Sequence, residues 1–325
     1  MPTPSGRGLR ALIPLLLCWI ACAASPSRAA EKRVLIFHKQ NGFIHADTDS
    51  CVKILVAHLA ANGLPAESTK DSLAFTPSNL ARFGAVVFYN TNYRNGALLN
   101  RTQEQAFEGY IQNGGGFVGI HSAIPLNGAW EETVWPWYAR LFGARFKTHP
   151  EMRSASMIIE NTTHPSTLGL PSRITLRDEW YQTRINPRGQ SDFHVLASLD
   201  ASSYPGGVVT GDHPVSWHRM FESARTWVTL VGHDLSAFAN ADYLAHVRGG
   251  ILWAGGWETT STAISNPLHR TGAESRARAG RNGPPDLVYR GAGGGRLEIR
   301  NVAGKFIEAR RFETKESGSR PTDPR

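Results

Sequence analysis

Cysteine is scarce: the chain of 325 residues carries three, at Cys18, Cys22 and Cys51. The first two fall in an amino-terminal segment with the pattern of a signal peptide, so the mature chain is expected to keep Cys51 alone and to form no internal disulfide. Cys51 lies in a helical pattern and fits a small core residue, with no electropositive turn around it to make a thiolate nucleophile. Long apolar runs are missing too. Ala11 to Ala23 is too short to span a bilayer comfortably, and no transmembrane segment is expected after signal cleavage. The formal net charge is +8, but the excess sits in the signal region and beyond residue 257, from Arg270 to Arg300. No basic helix with interleaved aromatics runs through the body, which excludes nucleic acid as a partner. There is no internal repeat, no His-Glu-x-x-His and no Gly-x-Ser-x-Gly.

What is present divides the chain into three. In residues 1–29, Arg7 and Arg10 precede the apolar stretch, and Ser27-Arg28-Ala29 or Ala21-Cys22-Ala23 offers a cleavage site. This predicts a secreted or periplasmic protein, with a lipid anchor through Cys22 or an uncleaved anchor as the alternatives. Residues 30–257 hold the fold: hydrophobic content is 41% and charged content 19% for the whole chain, enough for a real core. Residues 258–325 shift to Ser, Thr, Gly, Pro and Arg and are expected to be a largely disordered tail, with a polar hairpin around Val302-Ala303-Gly304-Lys305.

Within the body, Gly114 to Ala123 is the organising stretch. A helix capped by Thr102 with Gln105 ends at Gly114, and Phe117 to Ile120 is a compact apolar strand in which Gly119 lets another backbone approach. Val34 to Phe37 and Ala85 to Tyr89 are further buried strands, alternating with helices at 52–59 and 103–113. That alternation predicts an α/β, flavodoxin-like doubly wound parallel sheet. From residue 156 to 220 short alternating segments form an antiparallel strand-rich insert, and Thr226 to Val231 with a helix from Asp242 to Trp253 closes the domain. A strand at Gly207–Thr210 is part of that insert.

Histidines and carboxylates gather at the expected strand ends, where open α/β sheets place ligands. His121 ends the fourth strand and His45 lies in the loop after the first. With those strands as neighbours, both would face one pocket. His149, Glu179 and His233 follow other strands. His164 before Pro165 fits a simple strand end.

Gly42-Phe43-Ile44-His45, Gly114–Ala123, His149-Pro150, His164-Pro165, Asp178-Glu179-Trp180-Tyr181, Pro214-Val215-Ser216-Trp217 and Gly232-His233-Asp234 occur in the order seen in the ThuA-like (trehalose utilisation) family. The resemblance covers residues 33 to 257. It implies a class I glutamine amidotransferase-like fold and a role in carbohydrate metabolism, around trehalose and oxidised (3-keto) glycosides. Amidotransferases of that fold place a cysteine after the strand that ends here at Ile120; this chain has His121, so a Cys-dependent glutaminase is not expected. The expected chemistry is acid–base work beside a sugar carbonyl, with His121 as base, Glu179 as acid and His45 beside them. A divalent, zinc-like metal held by His45, His121 and His149 with Glu179 is the other use of the same side chains. Ser122, Trp180, Tyr181, Trp217 and His233 are the candidate substrate contacts. The partner is a small-molecule carbohydrate, and a homo-oligomer is allowed. A non-catalytic carbohydrate-binding protein is the alternative function.

Overall fold

The computed structural model describes residues 33–93, 97–126, 135–204, 206 and 211–257, together with the backbone of three strands between 287 and 311. The signal segment expected at 1–29, the strand expected at Gly207–Thr210 and most of the tail lie outside the described residues. No described helix is long and apolar enough to cross a membrane.

A nine-stranded sheet carries the fold. Its parallel half is β1 (Val34–Phe37), β2 (Ala66–Thr69), β3 (Ala85–Tyr89), β4 (Gly116–Ile120) and β11 (Ala224–Thr229), in the spatial order β2-β1-β3-β4-β11. This is the flavodoxin-like order, reversing direction between β1 and β3. Beyond β11 the sheet turns antiparallel through β10 (Pro214–Phe221), β9 (His194–Leu199), β6 (Arg153–Ile159) and β7 (Arg173–Asp178). Two short strands, β5 (Phe146–Thr148) and β8 (Gln182–Thr183), pair separately. In the tail, β13 (Arg296–Arg300) pairs antiparallel with both β12 (Leu287–Arg290) and β14 (Phe306–Arg311).

The parallel strands are apolar on both faces because helices cover both. Val34, Ile36, Val87 and Tyr89 pack on one side with α1 (Thr48–Ala61) and α6 (Ala241–Ala254). Leu35, Phe37, Val86, Phe88 and Phe117 pack on the other with α3 (Arg101–Gln112) and α4 (Pro136–Phe142), α2 (Pro77–Leu80) and α5 (Leu235–Phe238) being single turns. Phe88 stacks on Phe107 at 5.0 Å. Burying each such ring contributes about 1.5–3 kcal/mol.

Two local expectations need correction. The capping box of α3 is formed two residues earlier than Thr102 and Gln105. The Asn100 side chain accepts from the Gln103 N–H at 3.0 Å, and Gln103 accepts from the Asn100 N–H at 2.9 Å. Asn is at least as good a cap as Thr, and Gln103 supplies the reciprocal bond. Gly119 faces the Phe142 ring rather than a backbone; Gly116 has that role, since a Cβ there would sit 2.2 Å from the Ala254 carbonyl oxygen.

These environments predict opposite signs for one substitution. Gly116→Ala is expected to lose about 1–3 kcal/mol by overpacking β4 against α6. Gly109→Ala, in the open on α3, is expected to gain about 1 kcal/mol from helix propensity. Urea denaturation midpoints measure both; a neutral Gly116→Ala would mean that β4 and α6 are not in this contact.

Candidate active site

The site begins with the turn after β4. His121 takes the left-handed region, φ +51°, and is fully buried. Its Nδ1 lies 2.8 Å from the Leu230 carbonyl, which can only accept, so Nδ1 carries the proton and Nε2 offers its lone pair. Asn90, also left-handed at φ +52°, holds the turn from below: its side chain accepts from the Ser122 N–H at 3.4 Å and donates to Thr48 at the start of α1 at 2.9 Å.

His45 reaches the same place from the loop after β1. The sequence expectation that β1 and β4 are neighbours is corrected, because β3 lies between them. The loop crosses the end of β3 instead. Asn41 N–H donates to the Asn92 carbonyl at 2.8 Å, and the Asn92 side chain donates to the Phe43 carbonyl at 2.6 Å. Gln40 accepts from the His45 N–H at 2.6 Å. The result sets the His45 ring 5.2 Å from that of His121 and 4.9 Å from that of His233. Both His45 ring nitrogens are buried without a hydrogen-bond partner. An unmet buried polar group costs about 1–3 kcal/mol.

The third contribution comes from the far edge of the sheet. Although β7 is the edge strand, its end folds back over β11, where Asp178 accepts the Gly232 N–H at 2.8 Å and the His233 N–H at 3.2 Å. Its other oxygen accepts the N–H of Glu179 at 2.9 Å. Burial pushes the Asp178 carboxyl up, opposed by His121 and by these main-chain donors. Fixed this way, Glu179 Oε2 stands 3.0 Å from His233 Nδ1 and 3.5 Å from His121 Nε2, while His233 Nδ1 is 3.2 Å from His121 Nε2.

Electrostatics follow from this packing. Burial, and then the nearby His121 and His233, lower His45 to about 3. Burial alone would raise Glu179, but the close His121 and His233 imidazoles prevail and hold it well below the usual carboxylate range. His233 is pushed down by burial and more strongly up by Glu179, ending above its ordinary value. The direction for Glu179 favours its ionised form.

The structure thus brings together His45, His121, Glu179 and His233, whose ligating atoms all lie within 4.8 Å of one another. His149, expected in that set, stands at the rim: its Nε2 is 3.9 Å from Glu179 Oε1, its side chain is 38% exposed, and its Nδ1 donates to the Pro150 carbonyl at 2.9 Å. Tyr181 stacks under both His121 (4.2 Å) and His149 (5.5 Å), with Ser122 and Glu179 facing its hydroxyl. Trp180 and Trp217 are not a substrate floor. Both are 1% exposed; Trp180 donates to the Arg153 carbonyl at 2.9 Å and Trp217 packs against Phe142. Gln40, Asn90 and Asn92 were not singled out from sequence, although buried asparagines straight after an apolar strand are a signal, since Asn tolerates left-handed backbone.

A second group of imidazoles lies elsewhere. His164 stacks on His218 at 4.4 Å and His218 on His194 at 4.9 Å, while His246 contacts Ser216 at 3.0 Å. Burial lowers His164 to about 3 and His218, His246 and His58 to about 4, with neighbouring imidazoles adding to it at His164 and His218 and the Arg248 guanidinium at His58. They stay neutral in the fold while the unfolded chain takes up protons near 6.5, so stability is expected to fall as the pH drops from 6.5 to about 4. Denaturation midpoints across that window measure this, and His218→Gln should flatten the slope. A midpoint independent of pH would contradict these environments.

The family model of ThuA, trehalose utilisation, matches residues 33–254. No curated protein matches the chain. Among solved structures, a protein described as ThuA-like from Bacteroides uniformis superposes with a TM-score of 0.59 at 25% identity, covering 71% of this chain and 94% of that one. Another so described, from Parabacteroides merdae, gives 0.56 at 20% identity, covering 70% and 91%. With a flavodoxin-like sheet and a family match over residues 33–254, the chain belongs to the ThuA (trehalose utilisation) family.

Proposed function

We propose that this protein is an exported enzyme acting on a disaccharide or glycoside already oxidised to a 3-keto sugar. The observation that carries the proposal is the convergence of His45, His121, Glu179 and His233 at the carboxyl ends of the parallel strands, with His149 at the open rim. The family's link to trehalose utilisation supports a sugar substrate, and the signal pattern in residues 1–29 supports export.

A keto group acidifies the hydrogen on the adjacent carbon. His121 is fully buried and its lone pair is engaged by the cluster, so it suits a holding role better than that of a base. His149 is better placed. With Nδ1–H bound to the Pro150 carbonyl, Nε2 is free to accept the proton. The carbon–hydrogen electron pair moves onto the carbonyl oxygen, whose charge an N–H of the unpartnered His45 ring or of His233 can receive. The charge then returns to expel the glycosidic oxygen, and the His149 imidazolium gives that oxygen its proton. One carbon–hydrogen and one carbon–oxygen bond break, a carbon–carbon double bond and an oxygen–hydrogen bond form, and no oxidant is consumed.

Incubating the mature protein with 3-keto-trehalose and following the sugar by NMR tests this. Turnover is expected, reduced about 100-fold or more in His149→Ala. Binding without turnover would instead identify a carbohydrate-binding protein.

A further inference from the structure

We infer that His45, His121, Glu179 and His233 form a binding site for a single divalent transition-metal ion of the zinc or cobalt kind. The inference concerns the centre of the sugar-processing site proposed above, but it rests on geometry and not on that activity.

A four-coordinate ion with bonds of about 2.0–2.2 Å sets its ligand atoms roughly 3.3–3.6 Å apart, and a six-coordinate ion roughly 2.8–3.1 Å apart. The three separations within His121 Nε2, His233 Nδ1 and Glu179 Oε2 are 3.2, 3.0 and 3.5 Å. They span that range, and a His45 nitrogen completes the set within 4.8 Å.

His121 Nδ1 is committed as donor to the Leu230 carbonyl, so its Nε2 lone pair points at a carboxylate oxygen 3.5 Å away. The His233 Nδ1–H, 3.0 Å from that oxygen and 3.2 Å from the His121 nitrogen, is the donor the two must share. His45 has two buried ring nitrogens and no partner for either. One shared proton cannot satisfy His121, Glu179 and His45 together, whereas one cation can.

A metal-binding imidazole commonly donates its other N–H to a carbonyl, as His121 does. Asp178 locks the main chain under Glu179 and His233, and Gln40 locks that under His45. Imidazole nitrogens with one carboxylate oxygen suit zinc, cobalt and their neighbours. Such an ion would supply a Lewis acid for a sugar carbonyl.

Tag-free protein stripped with chelator and titrated with Co²⁺ and Zn²⁺ tests the inference. The expected result is one ion per chain, with affinity reduced at least about 10- to 100-fold in His45→Ala and His233→Ala. His218→Ala, in the separate imidazole stack, should bind as the parent does. Because a buried ligand variant can fail to fold, bound Co²⁺ in the parent protein should also broaden the NMR signals of His45, His121 and His233 and spare those of His164, His218 and His246. Absence of stoichiometric binding, or broadening at the second group instead, overturns the inference. An ion bound without sugar turnover leaves it standing and removes the proposed activity. Turnover by protein that binds no ion does the reverse.

Discussion

One buried carboxylate organises the site. Asp178 takes three main-chain N–H groups, from Glu179, Gly232 and His233, and so ties the end of the sheet's outermost strand to the loop after β11. Hydrogen bonds in a dry interior are costly to leave unmade, and removing the acceptor would strand its donors. Glu179 and His233 owe their meeting to it. Neither the parallel half nor the antiparallel half of the sheet would form this site alone.

The remaining two imidazoles are supplied by the parallel half, each at a point where the backbone is forced. His121 adopts a left-handed turn directly after a fully buried strand, and the Leu230 carbonyl sets its tautomer. His45 rides on a loop pinned to Asn92 and Gln40. Left-handed backbone at a non-glycine residue costs of order 1–3 kcal/mol and persists where surroundings over-determine it. Asn90 and His121 both do so here, one beneath the other. The exposed rim, by contrast, is carried by His149 and by Phe43 and Ile44, each of the latter two 62% exposed.

The parallel core was legible because its residues obey simple periodicities. Val-Leu-Ile-Phe at β1 and Ala-Val-Val-Phe-Tyr at β3 are apolar throughout, as a doubly covered sheet demands, and Gly114 closes α3 at φ +87° as a left-handed cap. His45 and His121 were legible through position at strand ends. The route by which they meet was not. Adjacency of β1 and β4 was the wrong reason, since strand order is set by crossovers that pattern does not encode, and the loop over β3 does the work. The fold-back of β7 was equally hidden, because nothing in an alternating strand states how far a sheet curls. That is why His149 was placed among the ligands and His233 outside them. Trp180 and Trp217 misled for another reason: an aromatic beside a polar motif has the same sequence signal whether it lines a cleft or fills the core.

The convergence itself is best tested by the imidazole nitrogens in solution. ¹⁵N spectra of the histidine side chains would be compared between the parent and Asp178→Asn at neutral pH. If Asp178 holds the site as described, the parent shows His121 protonated on Nδ1. The substitution then shifts His45, His121 and His233 together, with His164, His218 and His246 unmoved. Unchanged spectra, or shifts confined to one of the three, would mean that these side chains do not share a centre.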